Sequence, residues 1–339
     1  MILGLTVILI LVLFLPFTVK IVERNLEVFL FIMGVAAVIV SQALNLPLIM
    51  KALKDPIYIT LAVLVAGLLF RWLQNPMEKG IISISKAMPF RLFVALFVII
   101  LGLISSVITA IIAAIVLVAV IGVLKLERKS AIRLVILACY SIGLGAVLTP
   151  IGEPLSTIAT SQLNEDFWYL FKLLAVDVIP GVVIYGILAA IMVKPPTPST
   201  DDQAIDQETE SYAEIIIRSG KIYLFVMALT FLGTGFQPFI KEFLLDLNPL
   251  VLYWINMISA ILDNATLAAA EISPAMDATT IKAILLGLLV SGGMLIPGNI
   301  PNIIAAGKMN ITSLEWARLG VPIGLVSMVV YFIVIITLH

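Results

Sequence analysis

The chain has almost none of the residue types from which most soluble active sites are built. Among 339 residues there is one cysteine, Cys139, and one histidine, His339 at the C-terminal end. Zinc sites made of His and Cys, Ser-His and Cys-His nucleophiles and haem ligation by an internal His all lack their parts, and a lone Cys in an apolar run forms no internal disulfide. Charge is scarce too. Asp, Glu, Lys and Arg make up 12% of the chain, about half the usual share, and 20 basic against 21 acidic residues leave a net charge of −1. With no basic surplus, a nucleic-acid partner is not expected.

Apolar residues fill the space: 62% of the chain is hydrophobic and the mean hydropathy is +1.18. That composition predicts an all-α polytopic protein of the cell (cytoplasmic) membrane, with the lipid bilayer as its main partner. The apolar start, Met1 to Phe17, has no basic n-region and no small-residue cleavage site, so it reads as a first span rather than a signal peptide. Crossing the hydrocarbon takes about 20 apolar residues. About eight crossings meet that length, near 2–19, 27–46, 56–73, 131–163, 169–193, 220–237, 279–308 and 318–338.

Two apolar regions do not fit. From Leu92 to Leu124 no residue is charged, a run that as one helix would reach about 50 Å and as two crossings would leave arms too short to span. A re-entrant hairpin resolves this, with its tip at Ser105-Ser106 and Thr109 opening the return arm. A second hairpin is expected from about Leu244 to Ile272, broken at Ser259 to Thr266. Exposed backbone at such tips is tolerated where it is buried in protein or lines a cavity. With both hairpins folded back, 15 of the 20 basic residues fall on one side, including Lys86, Arg91, Lys125, Arg128 and Lys129 at the flanks of the first hairpin. The positive-inside rule makes that side cytoplasmic.

The two halves of the chain resemble each other. Ile104-Ser105-Ser106-Val107-Ile108 pairs with Ile258-Ser259-Ala260-Ile261-Leu262 at an offset of 154, and LGAVLTPIGEPLSTIAT pairs with SGGMLIPGNIPNIIAAG at 147, matching Pro150/Pro154 with Pro297/Pro301. The expected organisation is N-terminal spans in 1–55, repeat 1 in 56–193 with a cytoplasmic-side hairpin, a cytoplasmic acidic linker in 194–219, and repeat 2 in 220–339 with an external-side hairpin. Three crossings per repeat is an odd number, so the second copy must lie inverted in the membrane. Inverted repeats interrupted at equivalent Gly/Pro positions point to a secondary transporter with a midplane site.

At that site the interrupted helices offer carbonyls, positive helix ends and hydroxyls, the last from Ser156, Thr157 and Thr160. The acids read as lying in the membrane are Glu153, Asp263 and Asp177, and a carboxylate there marks an ion or proton pathway. With no Lys or Arg expected among them, a small cation is favoured, with Na⁺ held at Asp263, Asn264 and Glu153 and H⁺ competing for the carboxylates. No resident cofactor is expected and the chain reads as a non-enzyme; Na⁺ and H⁺ are transported or coupling ions. Two other readings stand beside Na⁺/H⁺ antiport. One is Na⁺- or H⁺-coupled transport of a small carboxylate or oxyanion, and a remote one is an intramembrane aspartyl protease using Asp263 with Asp177 or Glu153, for which no Gly-x-Gly-Asp stretch is present.

These motifs resemble the ion transporter superfamily, which includes arsenite, citrate, dicarboxylate and sodium/proton carriers. SAILDNATLAA (Ser259 to Ala269) is similar to its hairpin motif, PGNIPNIIAAG (Pro297 to Gly307) to its unwound-helix motif, and TPIGEPLSTIAT (Thr149 to Thr160) to the first-half counterpart, most similar to that of a small, uncharacterised prokaryotic branch. The resemblance covers about residues 56–338 and implies an inverted-repeat carrier, often a homodimer, whose hairpins move with a transport domain. It implies hairpin-tip ligands at Ser105, Ser106, Thr109, Ser259, Asp263, Asn264 and Thr266, and unwound-helix ligands at Thr149, Gly152, Glu153, Gly298, Asn299 and Asn302. Thr109 stands where some relatives carry an Asp or Asn pair, and fewer crossings precede the second hairpin than in larger members.

Overall fold

A computed structural model describes residues 1–196, 211–243, 248–262, 264–272, 274 and 276–338. Fifteen α-helices and two short 3₁₀ turns make up its regular structure, and no strand occurs among the described residues. Among the described residues five helices are long and apolar enough to cross a membrane: Phe90–Ile108, Arg128–Ala146, Tyr169–Met192, Tyr212–Phe239 and Ser313–Thr337. An all-α membrane protein fits this composition and shape.

The first helices are α1 (Ile2–Thr18), α2 (Lys20–Arg24), α3 (Leu26–Val40) and α4 (Leu46–Ala87). α4 contains the expected span at 56–73 and extends beyond it at both ends. It is a single helix of 42 residues that runs through residue 55 and through Pro76. At about 1.5 Å per residue it is much longer than the hydrocarbon is thick. The charged and Pro-containing stretches read as connections on either side of 56–73 are therefore helical extensions. Asn45 starts the helix by accepting the Leu48 N–H at 2.8 Å.

Next come α5 (Phe90–Ile108), α6 (Ala110–Leu124), α7 (Arg128–Ala146), α8 (Pro154–Leu163) and α9 (Tyr169–Met192). The later half has α10 (Tyr212–Phe243), α11 (Pro249–Ile255), a 3₁₀ turn (Asn256–Ala260), α12 (Asn264–Glu271), α13 (Ala278–Gly292), a second turn (Ile296–Gly298), α14 (Ile300–Met309) and α15 (Ser313–Leu338). Of the proposed linker at 194–219, residues 197–210 lie outside the described residues.

The break between α5 and α6 lies at Thr109, not at Ser105-Ser106. Both serines are helical, and their hydroxyls are satisfied within the helix by carbonyls three residues earlier, Ser105 Oγ to Gly102 O at 2.6 Å and Ser106 Oγ to Leu103 O at 2.8 Å. α5 is accordingly 19 residues long, more than the short arm expected. Thr109 itself has φ 76 and ψ 148, a region essentially reserved for glycine. The strain of a β-branched residue there is about 1–3 kcal/mol. Its hydroxyl caps α6 only through a long contact from the Ile112 N–H, 3.4 Å. Thr109→Gly trades that strain for a few tenths of a kcal/mol of lost capping and some unfolded-state entropy. A net gain of about 1 kcal/mol is expected, seen as a higher melting temperature in detergent; an unchanged or lower value would mean that the backbone here is not strained.

Packing is reciprocal. α7 and α13 are the central, most enclosed helices, with every residue from Ile281 to Gly292 buried. α7 packs with α5, α6 and α9; α13 packs with α11 and the turn after it, α12 and α15. Across the halves, α6 packs on α14 and α12 packs on α8. α3 and α4 lie against α10, with α1 against α3, as a flanking layer.

Candidate functional site

Two unwound segments face the helix breaks. After α7, residues 147–153 leave the helix before α8 starts, and after α13, residues 293–299 do so before α14. Proline supplies the physical cause: Pro150 and Pro297 lie in the unwound stretches, while Pro154 and Pro301 occupy the first turns of the new helices, where a missing N–H costs nothing.

The caps set the register between the halves. Glu153 caps α8 and Asn299 caps α14 in nearly the same extended conformation, and both ten-residue helices end on a left-handed asparagine, Asn164 and Asn310. Each pair lies 146 residues apart, so the register is one residue away from that given by aligning the prolines. Glu153 and Asn299 are thereby equivalent, as are Gly152 and Gly298. A Cβ on Gly152 would lie 1.9 Å from Ala146 O, and one on Gly298 would lie 2.4 Å from Gly292 O. Only glycine lets the chain double back so close to the helix it has just left.

Paired serines fasten each broken arm to its central helix. In the first half Ser105 Oγ shares its one proton between Gly102 O at 2.6 Å and Ile142 O at 3.1 Å, and Ser141 Oγ donates to Val98 O at 2.9 Å. In the second, Ser259 Oγ donates to Leu288 O at 3.0 Å and Ser291 Oγ to Asn256 O at 2.7 Å. Ser105 and Ser259 were expected as ligands; their hydroxyl protons hold helix carbonyls, which leaves only the oxygen lone pairs to meet an ion.

Around the first break, the Ala110 N–H donates to Gly152 O at 2.8 Å and the Thr149 hydroxyl donates to Ser106 O. This brings Ser106, Thr109, Thr149 and Gly152 together. Glu153 is 5% exposed. Its carboxylate accepts from the Ser156 N–H and Ser156 Oγ in turn meets the Glu153 N–H, a reciprocal cap that fills the positive end of α8 with the protein's own anion. Ser156 Oγ is further committed to Glu153 O at 2.7 Å, and Thr160 Oγ1 to Ser156 O at 2.8 Å. Thr157 is exposed and bonds to Pro150 O. These hydroxyls shape the segment more than they point into it.

At the second break Asn264 and Asn302 converge on Gly292. Asn302 Nδ2 donates to Gly292 O at 2.9 Å and Leu295 O at 3.0 Å, and a Cβ on Gly292 would lie 3.7 Å from Asn264 Nδ2. Asn264 Nδ2 and Asn302 Oδ1 are buried and have no hydrogen-bond partner among the described residues. Asn299 reaches across the halves: a Cβ on Gly143 of α7 would lie 3.0 Å from its Nδ2. Asp263 lies outside the described residues, as does the side chain of Thr266.

Two charged features were missed or misread from the sequence. Lys282 is 6% exposed, and its Nζ lies 2.9 Å from Asp177 Oδ2, an enclosed ion pair joining α13 to α9. The expectation that no basic residue lies inside is therefore corrected. Lys282 follows only four residues of α13, where a lysine normally reaches water; here it is buried against Asp177 on the neighbouring helix. Beside the pair, Tyr331 Oη donates to Asp177 O at 3.1 Å, and a Cβ on Gly181 would lie 2.0 Å from that hydroxyl, so Gly181 makes room for Tyr331 as well as following Pro180. The other missed group is Glu271, 1% exposed at the end of α12. Its place at the rim of the expected hairpin hid it.

A family model described as protein of unknown function (DUF1646) matches residues 2–338. No curated protein matches the chain.

Proposed function

The chain belongs to the DUF1646 family of unknown function, and we propose that it is a secondary active transporter exchanging Na⁺ for H⁺ by alternating access between the two breaks. The carrying observation is the paired architecture of the breaks: two unwound helices with matching caps, Glu153 and Asn299, each crossed by an arm from the other half of the chain. On this reading α5/α6 and α11/α12 are opposed re-entrant hairpins of inverted repeats, and the reciprocal serine bonds support the repeat. The first hairpin has unequal arms of 19 and 15 residues, which sets its tip at Thr109.

The chemistry favours a cation. Glu153 already fills the positive end of α8, so an incoming anion meets a carboxylate there. Lys282 leaves no net positive charge because Asp177 neutralises it. Unwound carbonyls, Asn302 Oδ1 and the Glu153 carboxylate are oxygen ligands of the kind Na⁺ takes, and Asp263, one residue before Asn264, adds the second acid of the site. A carboxylate in such a place binds either H⁺ or Na⁺, and competition between them is the exchange. The protein works in the cell membrane on this view, as a homodimer by analogy with the resembling carriers.

The test is dye-reported proton movement in proteoliposomes carrying an imposed pH gradient. Na⁺ is expected to collapse the gradient in the wild type with saturating dependence, and Glu153→Gln and Asp263→Asn are each expected to return the signal to the protein-free background. No response to Na⁺, Li⁺ or K⁺ would sink antiport, and a response to small carboxylates or oxyanions in the same vesicles would replace it with coupled anion transport.

A further inference from the structure

Glu271 and Asn256 form a cluster that the proposed exchange site does not use. Glu271 ends α12 and Asn256 opens the 3₁₀ turn before the second break; they are 1% and 0% exposed. Asn256 Nδ2 donates to Glu271 Oε2 at 2.9 Å. The other oxygen of each group, Glu271 Oε1 and Asn256 Oδ1, is buried and has no hydrogen-bond partner among the described residues. No ion pair among the described residues reaches Glu271 either. An ionised carboxylate held by one amide donor in an apolar setting is costly, and so is an amide oxygen with nothing to accept.

One proton accounts for both unsatisfied oxygens. Placed on Glu271 Oε1, it turns that atom from an acceptor into a donor, removes the buried charge, and leaves Asn256 Oδ1 as the acceptor on the group already bonded at the other edge. A protonated acid facing a primary amide pairs with it along both edges, here Nδ2–H to Oε2 as observed and Oε1–H to Oδ1 as the complementary bond. A sodium ion would need several more oxygens than the two left unsatisfied here, Glu271 Oε1 and Asn256 Oδ1. The surroundings hold few competing charges. α8 and the 3₁₀ turn carry no ionisable side chain within their spans, though Glu153 caps α8; α13 carries Lys282, paired with Asp177, and starts from the exposed cap Asp277. The ionisable groups of α10 lie toward its ends: Tyr212, Glu214, Arg218, Lys221 and Tyr223, then Lys241 and Glu242.

We propose that Glu271, seated on Asn256, is a proton-carrying site separate from the exchange site at the breaks. It lies seven residues along α12 from Asn264, about 10 Å. If the second hairpin enters from outside, the proton waits there between the external solution and the break. The proposal rests on the transporter reading for its role in exchange, but the protonation itself does not depend on that reading.

Glu271→Gln tests it, because glutamine reproduces the neutral acid: its Nε2 donates where Oε1–H would. Infrared difference spectra of wild type minus Glu271→Gln in detergent at neutral pH are expected to contain the C=O stretch of a protonated carboxylic acid. The variant is expected to melt at or above the wild-type temperature, whereas Glu271→Ala should melt lower. A spectrum showing only carboxylate bands would overturn the proposal, and so would a Glu271→Gln protein that melts well below wild type. In vesicles, Glu271→Gln should retain Na⁺ binding while losing most of its proton counter-movement. If wild-type vesicles ignore Na⁺ altogether, the exchange reading fails, yet the infrared band still decides whether Glu271 holds the proton.

Discussion

Replacing Lys282 with Ala is expected to cost the folded protein about 3–5 kcal/mol, enough to make most of it aggregate on extraction into detergent. The Lys282 and Asp177 side chains are 8% and 2% exposed, and their charged atoms are 2.9 Å apart. Removing the ammonium takes the ion pair away from a carboxylate enclosed by α9 and α13, and breaking an enclosed pair is far more costly than losing an exposed one, worth about 0–1 kcal/mol. The double variant Asp177→Asn with Lys282→Met removes both charges at similar volume and should recover most of the loss. Melting temperatures of the wild type, both single variants and the double variant would measure the coupling. Additive effects would mean that the two groups do not form an enclosed pair, and a Lys282→Ala protein as stable as wild type would mean that water reaches Asp177.

The ion pair also shows where sequence reading stops. The helical class, the apolar spans and the two Pro-containing breaks follow from hydropathy and from proline's missing N–H, which act locally and leave their mark in consecutive residues. Glu153 was legible because it stands between two prolines in an apolar stretch. Lys282 was not, because a lysine near a helix start normally extends to water. Its burial depends on Asp177, which is more than 100 residues earlier in the chain. Glu271 was hidden in the same way by its distance from the motif centre. The serines show the opposite error: Ser105, expected at the hairpin tip, lies four residues before the break at Thr109, and the hydroxyl protons of Ser105 and Ser156 are committed to carbonyls; only coordinates reveal where a rotatable O–H is already engaged.

Gly145→Ala should be at least as damaging as the loss of Lys282, although it adds a single methyl. A Cβ at Gly145 would lie 1.8 Å from the carbonyl oxygen of Gly102 and 2.5 Å from its carbon, and a Cβ at Gly102 would lie 2.1 Å from Ser141 Oγ. The obstacle at Gly145 is backbone, which no rotamer change can move, so α5 and α7 would have to separate by about 1.5 Å to reach van der Waals contact. Overpacking alone costs about 1–3 kcal/mol. The separation also pulls on Ser105 Oγ to Ile142 O and Ser141 Oγ to Val98 O, and each buried bond lost adds about 1 kcal/mol or more. A total of about 3–5 kcal/mol is expected, read as loss of the monodisperse protein peak on size-exclusion chromatography. Gly307→Ala is the control: its Cβ would meet nothing within 4 Å on α14, so helix propensity should make it neutral or stabilising by up to about 1 kcal/mol. If both variants behaved alike, α5 would not lie against α7 as described. The first break would then lose the backbone contacts that bring Thr109 to Gly152, and with them the geometry on which an exchange site between the breaks depends.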